Sequence, residues 1–142
     1  MENRERYINE IRAYKHNYIA KELELSKEQQ KEFFTVYDEM EDELMKINDE
    51  TRELERKTEA DKDASDTELE AAATAIFSQK QKEGEIEMSY FDKFKKILNN
   101  RQLLRLKNTE RKFTQQLVRH HRRLQRERAA DSVQRRRPER QQ

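Results

Sequence analysis

Along most of the chain, apolar residues recur at the three- and four-residue spacing of an amphipathic helix. The first such stretch, residues 3–22, is unusually aromatic. The second, residues 27–58, is the most regular, because its apolar positions advance by alternating steps of four and three, as in a coiled-coil heptad. These positions are Phe33, Tyr37, Met40, Leu44, Ile47, Thr51 and Leu54. The pattern predicts two helices, the second long enough for about three heptads.

The remainder predicts two further helices and a tail. The third helix is predicted to begin after Ser65, which with Glu68 fits an S-x-x-E capping box. Its apolar stripe runs through Leu69, Ala73, Ile76 and Phe77, and later Tyr90, Phe94 and Ile97. Its polar middle holds the only glycine, Gly84, where we expect a bend or a less stable segment. The fourth helix starts near residue 99. Its stripe stops before residue 128, which predicts a helical domain over 1–128 and a disordered basic tail over 129–142.

The predicted starts of the second and fourth helices share one short motif. In each, a leucine is followed by a small polar residue and, four positions after the leucine, by a glutamine. The polar side chain can accept a hydrogen bond from the backbone N–H of the glutamine, whose amide can reach back to the cap. The motif residues are Leu25, Ser26 and Gln29 in the first copy and Leu98, Asn99 and Gln102 in the second. They predict two helix starts built in the same way.

Composition narrows the class of protein. Charged residues make up 43% of the chain and apolar residues 32%, against about 45–50% apolar in ordinary globular domains. A thin bundle, a coiled coil or self-associating helices need less apolar material than a compact sphere. Without cysteine, the chain cannot form disulfides, and without a run of 18 apolar residues it has no membrane-spanning helix. The opening residues do not form a signal peptide, so we expect a cytoplasmic protein or one whose export signal lies upstream.

Charge is strongly segregated although the net charge is only +1. Residues 38–70 hold 15 acidic and five basic residues, whereas residues 119–142 hold nine arginines and three acidic residues. This suggests attraction between molecules, or a basic segment that meets an anionic partner. Lysine and arginine near a helix end also complement its dipole, and no aromatic residues accompany the arginines to stack on bases. The candidate basic patch comprises Arg119, Arg122, Arg123, Arg126 and Arg128.

Signatures of catalysis and of metal binding are missing. The chain has no glycine-rich phosphate loop and no recognisable pairing of a nucleophile with a histidine. His120 and His121 are adjacent, so on a helix they point about 100° apart and do not form an i, i+4 metal clamp. We therefore expect a protein that is not an enzyme and that needs no cofactor and no metal.

The two Leu-(Ser/Asn)-x-x-Gln copies resemble the LTxxQ motifs of the Spy/CpxP family, which comprises periplasmic ATP-independent chaperones and stress modulators and includes proteins described as periplasmic metal sensors. The resemblance extends over residues 7–57 and 90–113. It implies a four-helix, elongated chain that pairs antiparallel into a cradle-like homodimer and binds unfolded clients through basic and apolar contacts. The sequence departs from the family in Ser26 and Asn99, which replace threonine, and in its acidic second helix.

Two hypotheses about function follow. The first is a Spy/CpxP-like protein of the periplasm that holds unfolded or partly folded proteins, or modulates a signalling protein in the stress response. The second is a cytoplasmic coiled-coil regulator whose Arg-rich C-terminus binds nucleic acid or an acidic protein. Under the first, six aromatic residues are candidates for packing or client contact, and core burial is the favoured role for each. They are Tyr14, Tyr18, Phe33, Phe34, Tyr90 and Phe94.

Overall fold

The computed structural model describes residues 2–136 and confirms an all-α protein with four helices. These are α1 (Glu2–Glu22), α2 (Lys27–Ala60), α3 (Asp66–Ile97) and α4 (Asn100–Arg136). No strand occurs in this range. The chain forms two compact units, one of α1 with α4 from Leu104 onward and one of residues 25–103. None of the helices in the described range is long and apolar enough to cross a membrane.

In the unit of residues 25–103, α2 and α3 form an antiparallel hairpin around a cluster of aromatic rings. Phe33 is fully buried, and its ring centroid lies 5.2 Å from those of Tyr37 and Phe94. Tyr90 extends the cluster, with its ring 6.3 Å from that of Phe94. Rings at these tilted distances add directional contacts to the burial of large apolar area. The N-terminal half of α2 is therefore the most tightly packed part of the hairpin.

Further along the hairpin the predicted heptad positions of α2 are less covered. Met40 is buried, whereas Leu44 and Ile47 are half-buried and Leu54 is exposed. Only one helix packs against α2 within this unit, so it covers part of the apolar stripe and leaves the rest open. Polar contacts replace apolar ones here, as where the Gln79 amide donates to Asn48 Oδ1 at 3.1 Å.

The predicted apolar stripe of α3 is buried in its later part, at Tyr90 and Phe94, whereas its first part lies at the surface. Leu69 and Ile76 are exposed, and Phe77 is 88% exposed. In that first part, the face that packs against α2 is rotated from the stripe and includes the small residue Ala72, which is buried. At Gly84 the helix is unbroken and a Cβ would meet nothing within 4 Å, so the glycine does not interrupt α3.

In the second unit, α1 packs on α4 from Leu104 onward. The ring of Phe113, which is buried, lies 5.5 Å from that of Tyr14 and 5.6 Å from that of Tyr18. Lys15 Nζ lies 4.0 Å from Glu110 Oε2 on the same interface. The helix α1 ends where Glu24 adopts a left-handed backbone conformation, with φ 53°, and its N–H donates to the Lys21 carbonyl at 3.2 Å.

The C-terminal helix extends further than the sequence pattern indicates. We expected disorder from residue 129, but α4 continues to Arg136, with the side chains of residues 129–135 exposed. This segment contains neither glycine nor proline, and its arginine, alanine and glutamine residues have high helix propensity, so no apolar stripe is needed for the helix to propagate. Residues 137–142 of the expected tail lie outside the described residues.

The aromatic cluster of the hairpin gives the first prediction. Replacing Phe33→Ala removes a fully buried ring and should lower the free energy of unfolding by about 3 kcal/mol. The matched control, Phe77→Ala, removes an exposed ring and should change it by less than about 0.5 kcal/mol. Urea denaturation followed by circular dichroism measures both, and equal effects would contradict the assigned packing of the hairpin.

Candidate functional site

The first copy of the repeated motif forms the predicted capping box. The backbone N–H of Gln29 donates to Ser26 Oγ at 3.1 Å. In return, the backbone N–H of Ser26 donates to Gln29 Oε1, also at 3.1 Å. These two bonds satisfy backbone donors at the start of α2, where no helical partner exists. At the position where a hydrophobic staple would need an apolar residue this copy has Gln30, whose amide donates to the Leu25 carbonyl at 3.1 Å.

The second copy repeats this geometry at the start of α4. The backbone N–H of Gln102 donates to Asn99 Oδ1 at 2.8 Å, and the N–H of Asn99 donates to Gln102 Oε1 at 3.0 Å. The cap of α3 is only half of such a box, because Ser65 accepts from the Glu68 N–H while the Glu68 carboxylate accepts from the Ser65 hydroxyl. Asn99 thus caps α4 with the same two hydrogen bonds that Ser26 makes at α2. The box is complete in the two copies with glutamine and incomplete at α3, where the third residue is glutamate.

The two glutamines also bind each other. The Gln29 amide donates to Gln102 Oε1 at 3.0 Å, and the Gln102 amide donates to Gln29 Oε1 at 3.2 Å. The Gln29 amide further donates to the Ile97 carbonyl at 3.1 Å. Each Oε1 thus accepts from both a cap and the partner amide, an arrangement that fixes which atom of each amide is oxygen. Gln102 is only 7% exposed and Gln29 is half-buried, so the polar junction is partly buried.

The function of the motif residues is therefore structural. Leu25 and Leu98, one at each cap, are both buried. The junction joins the two ends of the α2–α3 hairpin at its base, where α4 also begins. A glutamine is needed on each side, because the pair requires a donor and an acceptor from both side chains.

A groove between α1 and α4 is the better candidate for a binding surface. It encloses about 310 Å³, and Tyr7 and Tyr14 on its wall are 60% and 56% exposed. An adjoining stretch of about 420 Å³ continues toward the end of α4. The residues that line the groove are Tyr7, Glu10, Ile11 and Tyr14 from α1 and Gln116, Leu117, His120, His121, Leu124, Gln125 and Arg128 from α4. An aromatic and apolar floor with few charges suits apolar segments of a partner.

The six aromatic candidates divide between the core and the surface. Phe33, Tyr90 and Phe94 are buried, so packing is their role. Tyr18 and Phe34 are half-buried, whereas Tyr14 is exposed in the groove. Sequence reasoning did not identify the groove itself. The sequence indicated the groove only through the apolar stripe of α1 that begins at Tyr7. The periodicity of that stripe does not indicate which helix packs against it.

The basic patch lies on the part of α4 that is exposed. The arginines of the patch are all exposed, and among them Arg128 lines the groove. Arg123 Nη2 and His120 Nδ1 lie 3.2 Å apart, and His121 Nε2 lies 3.1 Å from the Gln125 amide. No group of three potential metal ligands occurs among the residues described. The histidines are thus parts of the groove wall and of local polar contacts.

Comparisons with protein-family models, with curated proteins and with solved structures find no match to this chain.

The glutamine junction predicts coupled effects of mutation. Gln29→Ala and Gln102→Ala should each lower the free energy of unfolding by about 1–3 kcal/mol, because each removes a capping bond and deprives the remaining glutamine of its partner amide. The double variant should be less destabilised than the sum, by about 1 kcal/mol. Urea denaturation of the four proteins completes the cycle, with Gln125→Ala as an exposed control. Strict additivity would contradict the junction.

A second prediction concerns alkaline pH. The Tyr90 hydroxyl donates to Glu43 Oε1 at 2.7 Å, and this hydrogen bond, together with burial and the charge of Glu43, raises the pKa of Tyr90 to about 12. The neutral phenol is favoured by folding, so its contribution is complete below pH 10 and is lost as the pH rises from about 10 to about 12. The stability difference between wild type and Tyr90→Phe should therefore shrink over that window.

Urea denaturation at a series of pH values measures this difference. The control is Tyr7→Phe, at an exposed position, for which the difference from wild type should stay near zero at every pH. A Tyr90→Phe difference that stays constant up to pH 12 would show that the hydrogen bond to Glu43 does not stabilise the fold.

Proposed function

We propose that the chain is a Spy/CpxP-like binding protein of the periplasm, which holds unfolded or exposed apolar segments of other proteins without nucleotide hydrolysis. Its surface for this purpose is the α1–α4 groove defined above. The same binding would let it act as a stress modulator, if the apolar segment belongs to a signalling protein. Export to the periplasm is part of the proposal and rests on the resemblance of the two motif copies to LTxxQ sequences.

The observation that carries the proposal is the exposure of aromatic side chains in the groove. Tyr7 and Tyr14 keep more than half of their surface open to water, next to Ile11 and Leu117. Contiguous apolar surface that remains exposed on a soluble helical protein is typical of a binding site. The groove is open along its length, so it can accept side chains of different sizes.

The contact between the two motif copies also supports the proposed resemblance to the family. The paired capping boxes use the motif glutamines of both copies in one hydrogen-bonded unit, which gives a physical reason for a chain to carry two copies. A repeated motif with a shared structural role favours the resemblance to a family defined by that repetition. The acidic α2 differs from the basic cradle of that family, so we propose that apolar contacts contribute more to client binding here.

An aggregation-suppression assay without ATP tests the proposal. The client is a chemically denatured protein diluted into buffer, and light scattering reports its aggregation. Wild type should suppress scattering at substoichiometric to equimolar ratios. Tyr7→Ser combined with Leu124→Ser removes two exposed groove side chains and should raise the concentration needed for half suppression about tenfold, equivalent to 1.4 kcal/mol of lost client contact.

The matched control is Phe91→Ser combined with Val133→Ser, which removes two exposed apolar side chains that do not line the groove. It should suppress scattering as well as wild type. Circular dichroism confirms that each variant remains helical. If wild type gives no protection, the holding function is wrong. If both double variants lose protection equally, the groove is not the binding surface.

A further inference from the structure

The outward face of α4 carries a line of cations, here called the basic stripe. Arg105, Lys112, Arg119 and Arg126 recur every seven residues, which is about 10.5 Å along a helix, and Arg122 and Arg123 lie on the same face. All six side chains are exposed. From Arg105 to Arg126 the stripe extends about 32 Å.

Within the described part of α4, Glu127 is the one carboxylate near this face, since it lies four residues after Arg123. Glu110 points toward α1, where its carboxylate lies 4.0 Å from Lys15 Nζ. Glu127 and Asp131 lie about 80° and about 120° around the helix from Arg119. The six cations of the stripe therefore have one neighbouring carboxylate on their own helix, so most of their positive charge is available to attract a partner of opposite charge.

The same chain carries a complementary surface at the far end of the α2–α3 hairpin. Residues 59–70, here called the acidic tip, contain six acidic residues and one lysine, and all six acidic side chains are exposed. Two of them, Glu59 and Asp61, lie at the C-terminal end of α2. Negative charge at that end opposes the helix dipole, so these carboxylates are not explained by stabilisation of their own helix.

Both surfaces combine charge with exposed apolar side chains. On α4, Leu104 and Val118 are exposed and lie beside the stripe, about 60° and about 100° around the helix from Arg119. At the hairpin end, Leu69 lies within the acidic tip and Phe77 lies two turns further along α3, 88% exposed. Apolar contact would remove water from the ion pairs, which strengthens interactions that are weak when fully solvated.

We propose that the basic stripe of one molecule binds the acidic tip of a second copy of this chain. A second copy brings both surfaces in equal number, so each stripe and each tip finds a partner, which explains a net charge of +1 in a chain so strongly segregated. Nucleic acid would neutralise the stripe but leave the tip without a cation, and no aromatic side chain accompanies the stripe for stacking on bases. The contact joins two different surfaces of the chain, the stripe of one copy and the tip of the other.

Sedimentation velocity of the full chain tests this proposal by comparing wild type with variants in which the charges of the stripe or of the tip are reversed. Wild type should self-associate at about 25 mM NaCl, and its association constant should fall at least tenfold at about 500 mM, where screening shortens the range of the charges. The stripe variant Lys112→Glu with Arg119→Glu and the tip variant Glu59→Lys with Glu70→Lys should each lose the salt-sensitive association. An equimolar mixture of the two variants should recover it, because the exchanged charges are again complementary.

The control variant, Lys27→Glu with Lys31→Glu, changes the net charge by the same amount at exposed positions of α2 outside the stripe, the tip and the groove, and it should associate as wild type does. Absence of salt-sensitive self-association in wild type overturns the proposal, and so does a mixture that fails to recover it. If the stripe variant instead loses binding to a double-stranded oligonucleotide while no self-association is seen at any salt, the partner of the stripe is nucleic acid and the proposal is wrong. These readouts are independent of client holding.

Discussion

The hydrogen-bonded pair of Gln29 and Gln102 is the constraint on which the α2–α3 unit depends. With the caps and with each other, the two glutamine side chains make four hydrogen bonds, each between 3.0 and 3.2 Å. Two of them cap the starts of α2 and α4, and two join the ends of the hairpin at its base. Helices α2 and α3, of 34 and 32 residues, are nearly equal in length, so the antiparallel hairpin returns the chain to its starting point. That equality brings two motifs 73 residues apart into contact. From this base the aromatic cluster around Phe33 extends into the hairpin.

Local features of the fold were predictable from the sequence because their causes are local. The caps at Ser26 and Asn99 require only residues three positions apart, and the heptad of α2 located Phe33, Tyr37 and Met40 in the core correctly. What could not be predicted depends on partners. The predicted stripe of α3 includes both Phe94, which is buried, and Phe77, which is exposed, since two helices in a unit cover only one face of each. The contact between the two motif glutamines needed the lengths of both intervening helices.

In the candidate sites too, local features were predictable and features that depend on a neighbouring helix were not. Periodicity found the aromatic face of α1, including Tyr14, but not the α4 residues that complete the groove, because periodicity does not say which helix is the neighbour. The arginines of α4 were evident in the sequence, whereas their alignment on one exposed face required the helix to continue unbroken past Arg126. A chain with few apolar residues thus leaves part of its apolar surface exposed. Its charged side chains are grouped by sign on the other exposed faces.

The junction at the base of the hairpin is made of neutral amides, and this sets how it responds to its surroundings. Amide groups neither gain nor lose a proton across the range in which carboxylates and imidazoles titrate. A Glu–Lys or Glu–His pair at the same place would weaken in acid or in alkali and would be screened by salt. In a protein with 43% charged residues, the connection that holds the hairpin together is thus insulated from acidity and ionic strength, while the charged faces around it are free to respond to both.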